Sequence, residues 1–316
     1  MTNARRAVAA MIIAVAAIGT VVLLSGGSSD DPGADGDRPV ATISRQPATG
    51  SPVAAASVGF LGDEDDLLVI DGPDSAPDGT VWKPGSGYLR INVDDIVLDG
   101  VYVIGGVDFY GSGTLTIRNS IIEGGNGSWQ TIMLRDTGNR LELSDSTLRW
   151  NPAQEQKPGS GPGSIQVTGQ HSMRIVRNDI SGMPDGIQAS GDDIVITDNW
   201  IHDPAVLGIG PESTHNDGIQ LYEGSSNVQF ARNRIEIGSV EGHSNGAIFI
   251  AGASSGVVSD NYLDGGGYSL RISDGSWSVT GNEFGPNHLF SQAAIENVEL
   301  SQWEDNTDAN AVEVQP

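Results

Sequence analysis

Two Asp-Gly dipeptides, Asp185-Gly186 and Asp217-Gly218, lie 32 residues apart, and His215, His243 and Arg271 follow one another at intervals of 28. Were the two carboxylates brought to one strand spacing, about 4.7–4.9 Å, they would hold a cation between them or share a proton. A histidine takes or gives a proton near neutral pH, and an arginine keeps its positive charge. With a histidine or arginine as base and a cation or arginine beside the developing charge, such a set could abstract a proton α to a carboxylate. With two suitably spaced carboxyl groups it could instead hydrolyse a glycosidic bond. The plainer alternative is that aspartate before glycine is a turn residue whose carboxylate accepts backbone N–H groups.

Gln166, Gln188 and Gln220 recur one residue after Ile165, Ile187 and Ile219. If those isoleucines point inward, strand alternation turns the glutamines outward, in a row that runs Met133, Gln166, Gln188, Gln220, Phe249, Arg271 and Glu296. The outward row before it is small: Thr131, Ser164, Gly186, Gly218, Ala247 and Ser269. A shallow amide face over small residues would admit a flat sugar, and Trp150, Tyr222 and Phe249 offer aromatic faces to stack on it. The same glutamines could form an amide ladder that only steadies the stack. His171, His202 and His288 complete the histidines, and a lone loop histidine is more often merely exposed than catalytic.

The elements that must carry these residues show themselves as repeats. A hexad, apolar-x-x-Asn/Ser-x-apolar, recurs at Ile117–Ile122, Leu143–Leu148, Ile175–Ile180, Ile196–Ile201, Phe230–Ile235, Val258–Leu263 and Val279–Phe284. Its polar residue is Ser120, Ser146, Asn178, Asn199, Asn233, Asn261 and Asn282, at spacings of 26, 32, 21, 34, 28 and 21. Asparagine tolerates left-handed backbone and bonds its own chain at a bend, so one per coil marks a stacked turn. A second strand repeats around Ile132, Ile165, Ile187, Ile219, Ile248, Leu270 and Ile295. From each of these to the next Asn or Ser the distance is nearly constant, 11 to 14 residues, whereas the return varies from 9 to 20. Length variation therefore falls on one edge, and two period-2 strands per coil are expected.

These features predict an all-β chain, a single-stranded right-handed parallel β-helix with N- and C-terminal caps, in which each coil contacts only its neighbours. The caps are expected at 72–90 and 303–316. The phrases Thr116-Ile-Arg-Asn-Ser-Ile, Ser213-Thr-His-Asn-Asp-Gly-Ile-Gln-Leu and Gly265-Gly-Gly-Tyr-Ser-Leu resemble exported β-helix proteins of the pectate-lyase-like superfamily, over about residues 72–306. That superfamily includes polysaccharide lyases, polygalacturonase-type hydrolases, epimerases and proteins without demonstrated catalysis, so fold alone does not choose among them. Asp185-Gly, Asn216-Asp217, Gly242-His243-Ser244 and Arg271-Ile272-Ser273 are similar in order to the polygalacturonase motifs. They depart from them in having one aspartate where a pair belongs, Asp192-Asp193 displaced beyond the strand, and Ser273 in place of lysine. The resemblance implies a protein that acts on or binds a polysaccharide, as a lyase or glycoside hydrolase, or else a non-catalytic glycan-binding or envelope scaffold. The catalytic candidates are Asp185, Asp217, His215, His243 and Arg271; the substrate-binding candidates are Gln166, Gln188, Gln220, Tyr222 and Trp150. No metal ligand set is assigned, although calcium stays open as a cofactor.

Composition narrows the partners. A net charge of −25, with only Lys83 and Lys157 beside fourteen arginines, repels a phosphate backbone and excludes nucleic acid as the expected partner. The 43 glycines suit frequent turns, and the absence of cysteine leaves stability to the stacked core. Arg5 and Arg6 precede an apolar run from Ala7 to Leu24, without a cysteine for lipid attachment. Residues 1–24 read as a signal peptide or membrane anchor that places the body outside the cytoplasm. Residues 25–57 read as a Gly/Ser/Asp/Pro tether and 58–316 as the β-helix. Contact with a membrane is expected only through the N-terminal segment.

Overall fold

The computed structural model describes residues 50–156, 163–208, 213–252 and 254–316; residues 1–24 and the first part of the tether lie outside them. Apart from one short 3₁₀ turn at Glu64–Asp66, the regular elements of the described residues are strands, and nearly all pairings are parallel between successive coils. A full coil has three strands, not two. In one of them Asp185–Ala189 lies on what we call the second face, Asp192–Thr197 on the third and Trp200–His202 on the first. The first face is a sheet of ten short strands from Leu68–Ile70 to Thr307–Asp308. The hexad conceals the third strand because it straddles a corner: Ile196 ends the third face, Asn199 turns the chain, and Ile201 starts the first face.

Alternation buries in-register rows of aliphatic residues inside the stack. On the second face Val107, Ile132, Ile165, Ile187, Ile219, Ile248 and Leu270 pair in register, all fully buried. On the first face Ile122, Leu148, Ile180, Ile201, Ile235 and Leu263 do the same, to within 2% exposure. Each such side chain contributes roughly 1.5–3 kcal/mol by leaving water, and β-branched residues suit the flat inner surface. The last coil departs from the expected row, because Leu270 pairs with Ala293 while Ile295 pairs with Ile272. Ala293 restores the constant half-coil, lying 13 residues before Asn306.

The asparagine turns work differently from a self-bonded bend. The left-handed residue is the one before the asparagine: Arg177, Asp198, Arg232, Asp260 and Asp305 have φ between 54° and 60°. The asparagine side chain points inward, and its Oδ1 accepts the N–H of the preceding coil's asparagine. Asn178 N donates to Asn199 Oδ1 (2.9 Å), Asn199 N to Asn233 (3.1 Å), Asn233 N to Asn261 (2.9 Å), Asn261 N to Asn282 (3.1 Å) and Asn282 N to Asn306 (3.1 Å). Each Nδ2 from Asn178 to Asn282 also reaches that same oxygen, and this fully buried ladder satisfies the amides that the corner takes out of the sheets.

Residues 53–67 run back along the outside of the stack. Val53 N donates to Arg232 O (3.0 Å), Gly59 N to Arg177 O (3.0 Å) and Phe60 N to Thr147 Oγ1 (3.1 Å), before the chain enters the first coil at Leu68. This strap crosses successive coils from Arg232 down to Arg149, whose guanidinium is held by both carboxylate oxygens of Glu64. At one end of the stack an antiparallel pair, Thr80–Lys83 with Tyr88–Ile91, buries Trp82. At the other, Trp303 Nε1 donates to Val314 O (2.7 Å) and Val314 packs on the core.

Candidate functional site

The varied loops enter the second face from one side, as the spacing predicts, and the site is built where they meet it. The face bends there, and the bend overturns one expectation. The row Thr131, Ser164, Ala247 and Ser269 is fully buried, not outward. Gly186 and Gly218 belong with it: a Cβ on Gly186 would stand 2.6 Å from Ile201 Cγ2, and one on Gly218 2.4 Å from Ile235 Cγ2. The position before the central isoleucine therefore packs toward the first face, and only glycine fits in these two coils. Strict alternation fails at this corner, so Asp185 emerges on the flank of the outward Gln188, whose Nε2 donates to Asp185 Oδ2 (2.8 Å).

Asp185 and Asp217 do occupy equivalent places in successive coils. Asp217 N donates to Asp185 Oδ1 (3.0 Å), and Gly246 N donates in turn to Asp217 Oδ1 (2.9 Å). Asn245 Nδ2 reaches Asp217 Oδ2 (3.1 Å), so all four carboxylate oxygens accept an N–H group. The turn reading is thus realised as a second, shorter ladder, in which each carboxylate accepts a backbone N–H from the next coil. Asp185 is 2% exposed and Asp217 1%. Burial pushes Asp185 up to about 7, against its bonds from Gln188 and the Asp217 amide. Burial, and then the charge of Asp185, hold Asp217 well above the usual carboxylate range, with Arg271 pulling the other way. The pair therefore retains a proton at a pH where ordinary aspartates have lost theirs. Tyr222 is pushed up to about 12 by burial and by both aspartates.

The glutamine row is in register, Gln166 with Met133 and Gln188 with Gln220, but its amides have separate partners. Gln166 accepts from Gln130, Gln188 serves Asp185, and Gln220 accepts from Tyr222 Oη (3.1 Å). Arg271 continues this row after Phe249, its guanidinium 5.1 Å from the phenyl centroid. It is not in a column with the histidines. His215 and His243 stand at the loop edge, where Asn216 N donates to His243 O (2.6 Å), while Arg271 lies further along the strand. Glu296 also leaves the row, because Ala294 pairs with Arg271 and Glu296 with Ser273.

At the loop edge an open groove is lined by His215, Glu241, His243, Asn245, Leu289 and Phe290. Phe290 is 71% exposed and tilts against Tyr268, ring centroids 5.4 Å apart. Asn245 joins groove to ladder, since it lines the one and donates to the other. The model for the right-handed beta helix region matches residues 88–288, nearly two thirds of the chain. The chain belongs to that family. No curated protein and no solved structure matches it. The family includes polysaccharide-active enzymes and other proteins, so membership leaves the site to speak for the function.

Elsewhere this right-handed β-helix uses its histidines structurally. His171 is buried against Asn139, and burial lowers its pKa. His202 stacks on Trp200 at 3.5 Å and contacts Asp179 and Asp203; burial disfavours its charge, but the two carboxylates outweigh it and raise its pKa. Trp150 stands at the end of a first-face strand beside a different pocket. Among the described residues no group of three or more His, Asp or Glu is arranged to hold a metal ion. Among them, too, no helix is long and apolar enough to cross a membrane; the run Ala7–Leu24 lies outside them. Glu241, Leu289 and Phe290 were missed by sequence reasoning because loop residues carry no period, and Asn245 because it lies at the start of the strand Ser244–Ala251, before the periodic part; the apolar pair Leu289-Phe290, shortly after Pro286, was the one available signal.

Proposed function

We propose that this right-handed β-helix is an extracytoplasmic carbohydrate-binding protein, related to the pectate-lyase-like superfamily, that holds a polysaccharide in the loop-edge groove beside the glutamine row. The observation that carries this reading is the groove itself: an exposed phenyl ring next to imidazole, carboxylate and amide groups, on the edge where all loop variation collects. Aromatic faces take the apolar face of a sugar while the polar groups orient its hydroxyls. The ladder aspartates position the groove through Asn245. The N-terminal apolar run Ala7–Leu24, read as an export signal, supports the location.

A second reading, turnover, is favoured by the retained proton on the Asp185–Asp217 pair, which a glycosidase acid requires. The positive charge of Arg271 acts on Asp217 and would stabilise negative charge formed there. The test is a panel of soluble glycans, assayed for binding by calorimetry and for new reducing ends and unsaturated products. Binding without products supports the first reading, products the second, and neither binding nor products across the panel defeats both.

A further inference from the structure

A second cavity lies on the same edge, on earlier coils and away from the groove. Its walls include Ser128, Trp129, Trp150, Gln154, Gln156 and Met183. Trp150 comes from the end of a first-face strand, and its indole lies over Gly124, where a Cβ would stand 2.9 Å from Cε3. Trp150 Nε1 donates to Gln154 O (3.0 Å), which fixes the ring plane. Trp129 is 55% exposed at the end of a tight loop. Ser128 closes that loop on Gly125 through both its N–H and its hydroxyl, and Trp129 N donates to Tyr88 Oη (2.8 Å). Gln156 is anchored by its Nε2 on Gly182 O, while its Oε1 is buried with no hydrogen-bond partner among the described residues. Two indoles on braced backbone with a spare buried acceptor form a site prepared for a flat ligand that donates hydrogen bonds.

We propose that this cavity binds one or two residues of a neutral sugar chain, independently of the groove. Indole faces pack on the axial C–H surface of a pyranose, and the Gln156 oxygen accepts a sugar hydroxyl or acetamido N–H. Glu155 in the wall and the net charge of −25 disfavour an anionic sugar. The cavity's two tryptophans are among only six in the chain, so their indole N–H signals in a ¹H–¹⁵N spectrum of the protein are assignable with Trp129→Phe and Trp150→Phe. Titrations use cellopentaose, xylopentaose and N-acetylchitotetraose, with tetragalacturonate as the anionic control. The expected result is that at least one neutral oligosaccharide shifts both signals, that tetragalacturonate does not, and that Trp129→Ala weakens the interaction by roughly tenfold or more. Phe290→Ala should leave these shifts intact, whatever it does to the groove. The proposal is overturned if none of the three neutral oligosaccharides moves the two signals at millimolar concentration, if tetragalacturonate moves them equally, or if Trp129→Ala binds as the parent does.

Discussion

The proton held by Asp185 and Asp217 has a consequence that can be measured in solution. Their folded-state pKa values lie above the ordinary carboxylate value, so the folded protein binds protons more tightly than the unfolded chain. The stability this brings is present at low pH and is lost as pH rises from the unfolded value toward the folded one, from about 4 to about 7 for Asp185. Urea midpoints of the parent should therefore fall over that window. Asp185→Asn, which keeps an oxygen for the Asp217 amide, should flatten the fall, and an unchanged slope would show that Asp185 does not hold the proton. Glu64 lies at the other extreme: its bond to Arg149 lowers its pKa, yet the pair is exposed, and such pairs contribute at most about 1 kcal/mol. Glu64→Ala should leave the melting temperature nearly unmoved.

At the scale of the element, the ladders and rows carry the stability. Asn233 supplies the oxygen for Asn199 N and Nδ2 and a donor to Ile196 O (2.9 Å). Asn233→Ala strands several buried polar groups at about 1–3 kcal/mol each, so a loss of roughly 2–5 kcal/mol in denaturant unfolding is expected. Among the described residues the Ser146 hydroxyl accepts Ser120 N and donates to Ser144 O; Ser146→Ala should cost distinctly less. Equal losses would mean that the asparagine side chains add nothing beyond the turn. Ile187→Asp buries an unpaired carboxylate at the centre of the second-face row, a penalty of several kcal/mol. That variant should show no cooperative native-like melt.

For the whole molecule, the stack is a scaffold whose loop edge presents the groove. Phe290 contributes little to the core, being mostly exposed, so Phe290→Ala should lower glycan affinity by roughly tenfold while the melting temperature shifts only slightly. Retained affinity in that variant would remove the groove from the function. The N-terminal run makes a separate prediction: deletion of residues 1–25 should leave a soluble protein in the cytoplasm, and continued export of that deletion would refute the targeting reading. The strap brings residue 53 beside Arg232, several coils away from Leu68.

What the sequence determined by itself is whatever repeats. One asparagine and one central aliphatic residue per coil sufficed for a parallel stack, its period and the edge where loops gather, because each coil's inward residues meet only their counterparts above and below. The equivalence of Asp185 and Asp217 followed from the same periodicity, and so did the glutamine register. Tertiary structure decided what depends on where the chain turns. The bend before each second-face strand sends Gly186 and Gly218 inward and Asp185 to the flank of Gln188, which alternation cannot foresee. A two-residue shift in the last coil replaces Ile295 by Ala293, and a corner hidden inside the hexad makes three faces out of two. The groove and the Trp129–Trp150 cavity join aperiodic loops to strand ends, and the strap is aperiodic throughout. Their side chains meet through space and not through spacing, so only the folded chain could bring them together.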